Sequence, residues 1–197
     1  MTEQSYEFPS GWDVAASCGQ IGLADDEVRL VEHDPVWAEL FLSFRGELLV
    51  VLPSARIEHV GSTSVEACIS KPLIDISIGL PSDDSFDVSV ADRFHLYFRA
   101  VNPESTLFAL YGLNLKRLAN IHVRPRDSSW ELWDLKFRDY LRSDSEQAGD
   151  YNQAKLRAQR LASDRGSYSA AKAEFFHRQY SAIESWAQSS AWKPTEF

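Results

Sequence analysis

The heptapeptide Ile74-Asp75-Ile76-Ser77-Ile78-Gly79-Leu80 constrains this chain more than any other segment. Successive side chains of a strand point to opposite faces. Ile74, Ile76, Ile78 and Leu80 therefore share one face, and Asp75 and Ser77 share the other. A carboxylate set between isoleucines is costly to bury without a partner. The segment predicts a strand with one greasy face and one chemical face. Asp75 is read as a metal ligand, a substrate contact, or the partner of an ion pair with Lys71 or Arg138.

The surrounding pattern alternates between the two periodicities. Val28 to Glu32 reads as a short strand, and Asp34 as the N-cap of a helix in which Trp37, Leu40, Phe41, Phe44 and Leu48 recur at helical spacing. Ile57 to Val60 reads as a strand in which His59 alternates with Ile57 and is expected to be a satisfied core histidine. Gly61-Ser62-Thr63-Ser64 suits a turn into a helix that begins near Val65 and is stopped by Pro72. Further strands are expected over Phe94 to Val101, Ser105 to Leu110 and Ile121 to Val123, with His122 pointing away from its apolar neighbours. From Ser129 the chain turns helical, with apolar stripes through Trp130, Trp133 and Phe137, then Asp150 to Leu161, then from about Ser169 through Phe175, Phe176 and Ile183. This order predicts an α/β (α+β) fold, a mixed sheet flanked by helices with a helical C-terminal part. Its expected divisions are an N-terminal extension over residues 1–26, one domain over 27–188 and a tail over 189–197.

Gly61-Ser62 precedes Asp75-Ile76-Ser77 by twelve residues. In a nucleotidyltransferase core, a Gly-Ser turn offers backbone N–H groups to a phosphate, and a strand of the form Asp-x-Asp or Asp-x-Glu sets two carboxylates on one face for Mg²⁺. Here the turn and the first carboxylate are present, and Ser77 occupies the position of the second. Glu58 on the preceding strand is the candidate replacement. Lys71 precedes a proline and so sits extended at the strand entrance, where its ammonium can meet a phosphate.

The net charge of −9 repels nucleic-acid phosphates over the surface as a whole, so phosphate binding must come from a local cluster of Lys and Arg. Arg138 with Arg142, Tyr151 with Lys155, and Tyr168 with Lys172 each lie four residues apart and can supply such a wall. Neither a nucleic-acid nor a membrane partner is expected, since no run approaches the roughly 18 apolar residues of a membrane span. Cys18 and Cys68 form no CxxC pair or secreted-type framework, which suits a cytoplasmic location. The sequence singles out no protein partner.

Several ordered blocks resemble the GrpB family. They are Glu32-His33-Asp34-Pro35 with Trp37 and Phe41, Ile57 to Val65, Lys71 to Ile76, Ile121-His122-Val123, Leu135 with Phe137 to Arg142, and later Tyr151, Lys155, Tyr168, Ala171-Lys172 and Phe175. The likeness spans about Val28 to Trp186. It departs where Glu66-Ala67 stands in place of the usual Pro-Gly, and it is loose from Asp83 to Ala119. The resemblance implies a nucleotidyltransferase-like fold. Because the family is sometimes fused to dephospho-CoA kinase, it also implies a nucleotide or a related phosphorylated ligand.

On this reading Asp75, Lys71 and His122 are the candidate catalytic residues, and Gly61, Ser62, Arg138, Lys155 and Lys172 the phosphate- or substrate-binding ones. Asp75 and Glu58 are the candidate ligands of Mg²⁺. The expected reaction is transfer of an activated group from ATP or another nucleotide to a small acceptor. Two alternatives remain open: a non-catalytic binding module with a degenerate metal site, and an ATP-dependent ligase joining a carboxylate to an amine.

Overall fold

Among the described residues, five strands form one mixed sheet in the order β1-β2-β5-β4-β3: β1 (Arg56–Val60), β2 (Ile74–Leu80), β3 (Leu96–Asn102), β4 (Ser105–Tyr111) and β5 (Arg117–Pro125). The structure, a computed structural model, describes residues 8–82, 86–102 and 104–194. The outer parts of the expected extension and tail, and part of the loosely matching middle region, lie outside them. β2 runs parallel to β5, and the other neighbouring strands are antiparallel.

Register carries the alternation of β2 into its neighbours. Glu58 sits opposite Ser77 on β1, and Asn120 and His122 sit opposite Asp75 and Ser77 on β5. With alternate residues on alternate faces, Ile57, His59, Ile76 and Ile121 face one side of the sheet. Arg56, Glu58, Asp75, Ser77, Asn120, His122 and Arg124 face the other.

The apolar face is covered by α2 (Val36–Val51), whose Trp37, Leu40, Phe41, Phe44 and Leu48 are all buried. Each such side chain stabilises the fold by roughly 2–3 kcal/mol. Asp34 Oδ1 accepts the Val36 N–H at 3.0 Å just ahead of this helix, whose N-cap position is held by Pro35 and not by the expected Asp34. The short helices α1 (Trp12–Ser17) and α3 (Val88–Arg93) complete the same core. The opposite face carries α4 (Ser129–Ser143), α5 (Ser145–Leu161) and α6 (Arg165–Ser189). Ser128, Asp144 and Asp164 cap their N-termini, each contributing about 1 kcal/mol. Among the described residues, no helix is long and apolar enough to cross a membrane.

Several local expectations change. Val28 to Glu32 contributes one bridge, between Val31 and Ser70, because Pro72 follows closely and has no N–H to continue a ladder. The helix expected from Val65 does not form. A 3-10 turn over Ser62–Ser64 ends in an extended Val65, and the Ser64 hydroxyl donates to the Gly61 carbonyl at 2.6 Å. β-branched residues and a hydroxyl bonded to nearby backbone compete with helix there. Finally, the segment read as an extension belongs to the core from Trp12 onward. That indole is fully buried and donates to the Leu40 carbonyl at 3.0 Å. The C-terminal stretch is likewise tied down by Trp192, whose indole donates to Asp139 Oδ2 at 3.0 Å.

Gly79 marks where α4 presses closest to the sheet. A Cβ there would lie 1.8 Å from Glu131 Oε1, and that carboxylate is itself held by Arg56 Nη2 at 2.5 Å. Gly79→Ala is expected to lower stability by about 2–3 kcal/mol, because neither buried group can move without breaking the pair. Urea unfolding checks this, and a loss under about 0.5 kcal/mol would show that Glu131 relocates freely.

Candidate functional site

The polar face of the sheet and helices α4 to α6 line a half-open cavity of about 1090 Å³. Its floor is the chemical face of β2 and β5. Asp75 projects into it with its side chain 30% exposed, and His122 Nε2 lies 3.8 Å from Asp75 Oδ1. Asn120 Nδ2 donates to the same oxygen at 2.7 Å. Burial pushes the Asp75 carboxyl up, but the His122 and Asn120 contacts and the Lys71 ammonium outweigh it and hold the carboxyl at about 2. At neutral pH Asp75 is a fixed anion.

Gly61 and Ser62 border the floor where β1 turns away. Gly61 has φ +70°, and a Cβ at this position would lie 2.5 Å from Asp75 Oδ2. Glycine is required twice over here, for its backbone conformation and for its close approach to the carboxylate.

The opposite wall is aromatic and cationic. Lys71 Nζ lies 5.1 Å from the Tyr168 ring centroid, and Lys172 Nζ lies 5.9 Å from the same ring and 5.4 Å from that of Phe176. Lys155 Nζ sits 4.3 Å from the Tyr151 ring centroid and donates to the Ile69 carbonyl. Burial lowers the Lys155 pKa, Cys68 opposes and Lys172 adds to the fall, leaving it at about 8 and still cationic at neutral pH. Two acidic residues of the lining, Asp134 and Glu184, are neutralised by Arg124 at 2.5 Å and Lys136 at 2.7 Å. The lining thus carries five Lys and Arg side chains against the three carboxylates of Asp75, Asp134 and Glu184, inside a chain whose net charge is −9.

Of the residues singled out in the sequence, Asp75, Lys71, His122, Gly61, Ser62, Lys155 and Lys172 all line this one cavity. Glu58 and Arg138 do not, and this corrects their expected roles. They are 1% and 0% exposed and form an ion pair at 2.6 Å between β1 and α4. Arg138 also donates to the His59 carbonyl at 3.1 Å and to Asp139 Oδ1 at 2.8 Å. Arg138 Nη2 is buried without a hydrogen-bond partner, but the pair is sealed between β1 and α4 and does not reach the cavity, so it acts as a strut of the cavity wall. Asp75 is not paired with Arg138. Ser77 Oγ is buried without a hydrogen-bond partner.

Mg²⁺ chemistry with two ions needs several protein carboxylates. Among the described residues, no cluster of three or more His, Cys, Asp or Glu side chains converges to hold a metal ion. The donor set does not fit a two-ion centre. It fits at most one ion carried on the phosphates of a ligand, with Asp75 as the protein donor.

Sequence reasoning missed Asn120, although alternation along Arg117–Pro125 would have set it beside His122. Helical spacing reads the Trp and Phe stripes as core, whereas Trp133 and Phe176 border the cavity, as does Tyr180. Their helical spacing marks one buried side of each helix and does not distinguish core from cavity wall.

A family model described as GrpB protein matches residues 27–182. A UPF0157 protein of Streptomyces coelicolor is 30% identical over 154 residues, covering 75% of this chain and 80% of that protein. The glutamate-rich protein GrpB of Alkalihalophilus pseudofirmus is 26% identical, covering 79% and 95% of the two chains. A dephospho-CoA kinase of Mycolicibacterium paratuberculosis is 28% identical over 87% of this chain and 50% of its own length. In three dimensions the crystal structure of the conserved protein GrpB from Enterococcus faecalis superposes with a TM-score of 0.66 at 24% identity, covering 84% of this chain and all of that one.

Proposed function

Since the chain belongs to the GrpB family, we propose that its cavity binds a nucleotide or another phosphorylated small molecule and transfers an activated group from it to a small acceptor. The observation that carries this reading is the charge of the cavity lining: the five cations Lys71, Arg124, Lys136, Lys155 and Lys172 against the three carboxylates Asp75, Asp134 and Glu184, in an acidic chain. A half-open, partly apolar site of that sign concentrates small anions by local field, while the acidic exterior turns away polyanions. Lys71 and Lys172, which share the Tyr168 ring, face the phosphates and neutralise charge developing on phosphoryl oxygens. Asp75 holds the acceptor, and His122 beside it is within reach of a proton released there. One Mg²⁺ brought on the phosphates would add a further positive charge at Asp75.

A second reading, binding without transfer, is favoured by the commitment of Glu58 to Arg138 and the absence of a carboxylate at Ser77. Product analysis separates the possibilities. Transfer leaves the nucleotidyl or other activated group on the acceptor, ligation of a carboxylate and an amine releases the nucleotide, and a binding module yields no product.

Binding itself is tested by thermal unfolding with ATP, CoA and dephospho-CoA, with and without Mg²⁺. The dephospho-CoA kinase relative makes the last two natural probes. A ligand at about 100 times its Kd raises stability by about 2.7 kcal/mol, or roughly 5–10 °C for a chain of this size. Lys172→Ala is expected to weaken binding on the order of tenfold or more through loss of a charge-assisted contact, with the unliganded midpoint little changed. No shift with any of the three ligands would remove the nucleotide from this reading.

A further inference from the structure

The donors behind Asp75 continue out of the cavity as a chain that ends on the N-terminal segment. Asn120 Nδ2 donates to Asp75 Oδ1 at 2.7 Å, and Asn120 Oδ1 accepts from Arg117 Nη1 at 3.2 Å. Arg117 Nη2 donates to Asp25 Oδ1 at 2.5 Å, and the Tyr111 hydroxyl donates to that oxygen at 2.9 Å. Asn120 and Arg117 are only 9% and 2% exposed, so the chain runs through the interior. Backbone bonds strap Asp25 into place. Leu23 exchanges both of its hydrogen bonds with Arg117, at 3.0 and 2.8 Å, and the Gly22 N–H donates to the Pro72 carbonyl at 2.8 Å beside Lys71.

This chain has a fixed direction. A guanidinium only donates, so Asn120 must turn its oxygen towards Arg117 and its NH₂ towards Asp75. A flipped amide would set its oxygen against the carboxylate and its NH₂ against the guanidinium, losing both bonds. The group that faces the Asn120 NH₂ must therefore accept.

We propose that Arg117, anchored by Asp25, and Asn120 are positioning residues that hold the Asp75 carboxylate as an acceptor-only group aimed into the cavity. The inference rests on the reading of Asp75 as the acceptor-holding carboxylate and deepens it. Arg117 is not part of the cavity lining and acts through Asn120. It also gives the N-terminal segment a role: residues 22–25 buttress the site from behind.

The test follows the ¹³C signal of the Asp75 carboxyl by NMR from pH 7 to pH 4 in the full chain, in wild type, Asn120→Ala, Arg117→Gln and Asp25→Ala. In wild type the signal stays at its ionised position throughout. Loss of the Asn120 hydrogen bond to a charged acceptor is expected to raise the Asp75 midpoint by about one to two pH units in Asn120→Ala, so the signal bends towards the protonated form by pH 4; Arg117→Gln, which leaves the Asn120 amide free to turn, moves it the same way by less. Asp25→Ala, whose side chain is 45% exposed in wild type, moves it the same way by less. An Arg117 that merely ties down the N-terminal segment would lower thermal stability and leave the Asp75 signal flat. Such a flat signal in Arg117→Gln, or in Asp25→Ala should the arginine variant not fold, overturns the proposal. The titration uses no ligand. A failure of nucleotide binding in wild type would count against the proposed function alone, and a flat Asp75 signal against the positioning role alone.

Discussion

Arg138→Met is expected to lower the unfolding free energy by about 3–5 kcal/mol, the cost of removing one charge from a buried ion pair. Arg138 is completely buried and Glu58 is 1% exposed, so neither charge can recover hydration when the other is removed. The guanidinium joins α4 to β1 through Glu58 Oε2 at 2.6 Å and through the His59 carbonyl at 3.1 Å. Those are the two elements that close one side of the cavity. Replacing both partners is a different case, because apolar side chains of similar volume lose little relative to a desolvated pair. Glu58→Leu combined with Arg138→Met should therefore recover most of the loss, and the coupling in the double-mutant cycle should exceed about 2 kcal/mol. Urea unfolding at pH 7 measures all four proteins. A single variant that loses less than about 1 kcal/mol would mean that water reaches Glu58, and the strut role of the pair would fall with it.

The same pair shows where sequence reasoning stopped. β2 was legible because its two faces differ in chemistry, so alternation alone set Asp75 and Ser77 opposite the isoleucines. β1 carries no such contrast. All five of its residues are buried, on both faces, and the direction of Glu58 is fixed only by pairing with Ser77. Arg138 and Arg142 are four apart and look alike in sequence, yet the first is fully buried and the second has a side chain 34% exposed that donates to the Ser64 carbonyl at 2.7 Å. Helical spacing gives relative direction, and only docking of α4 on β1 decides which arginine is sealed.

The lysines were legible for a related reason. Lys155 and Lys172 each follow a tyrosine by four residues, and that local pairing survives as ring contacts at 4.3 and 5.9 Å. Asp25 was beyond reach, because its contact with Arg117 joins residues 92 positions apart through an isolated bridge at Leu23. Interactions that depend on one long-range contact leave no periodic trace in the sequence.

Acidification from pH 7 to pH 3 is expected to weaken the folded state by roughly 4–5 kcal/mol through His59 alone. The imidazole is 3% exposed, stacks on Phe41 with ring centroids 5.0 Å apart, and has Nε2 2.9 Å from Thr63 Oγ1. Burial pushes its pKa down and the nearby Arg142 pushes it further. Asp75 opposes, Arg138 and His33 add to the fall, and the result is about 3. In the unfolded chain the imidazole takes up a proton as the pH drops below 6.5, whereas the folded one stays neutral until about pH 3. The unfolded state therefore binds one more proton across that window, and stability falls there by about 1.4 kcal/mol per pH unit. Above pH 6.5 the contribution is complete, and below about pH 3 the loss levels off.

Asp75 acts in a lower window. Its folded value of about 2 lies below the ordinary 3.8, so its stabilising contribution is lost only as the pH falls from about 4 to 2. Urea unfolding at half-unit intervals from pH 7 to pH 4 separates the histidine window from that of Asp75. His59→Gln retains a polar group that can reach Thr63 but does not titrate. It should be less stable than wild type at pH 7, through lost stacking on Phe41, and shallower than wild type between pH 6.5 and 4, keeping the slope from His33, whose pKa burial also lowers. A His59→Gln slope matching that of wild type would assign the acid sensitivity to other groups and count against a neutral, sealed imidazole behind the site.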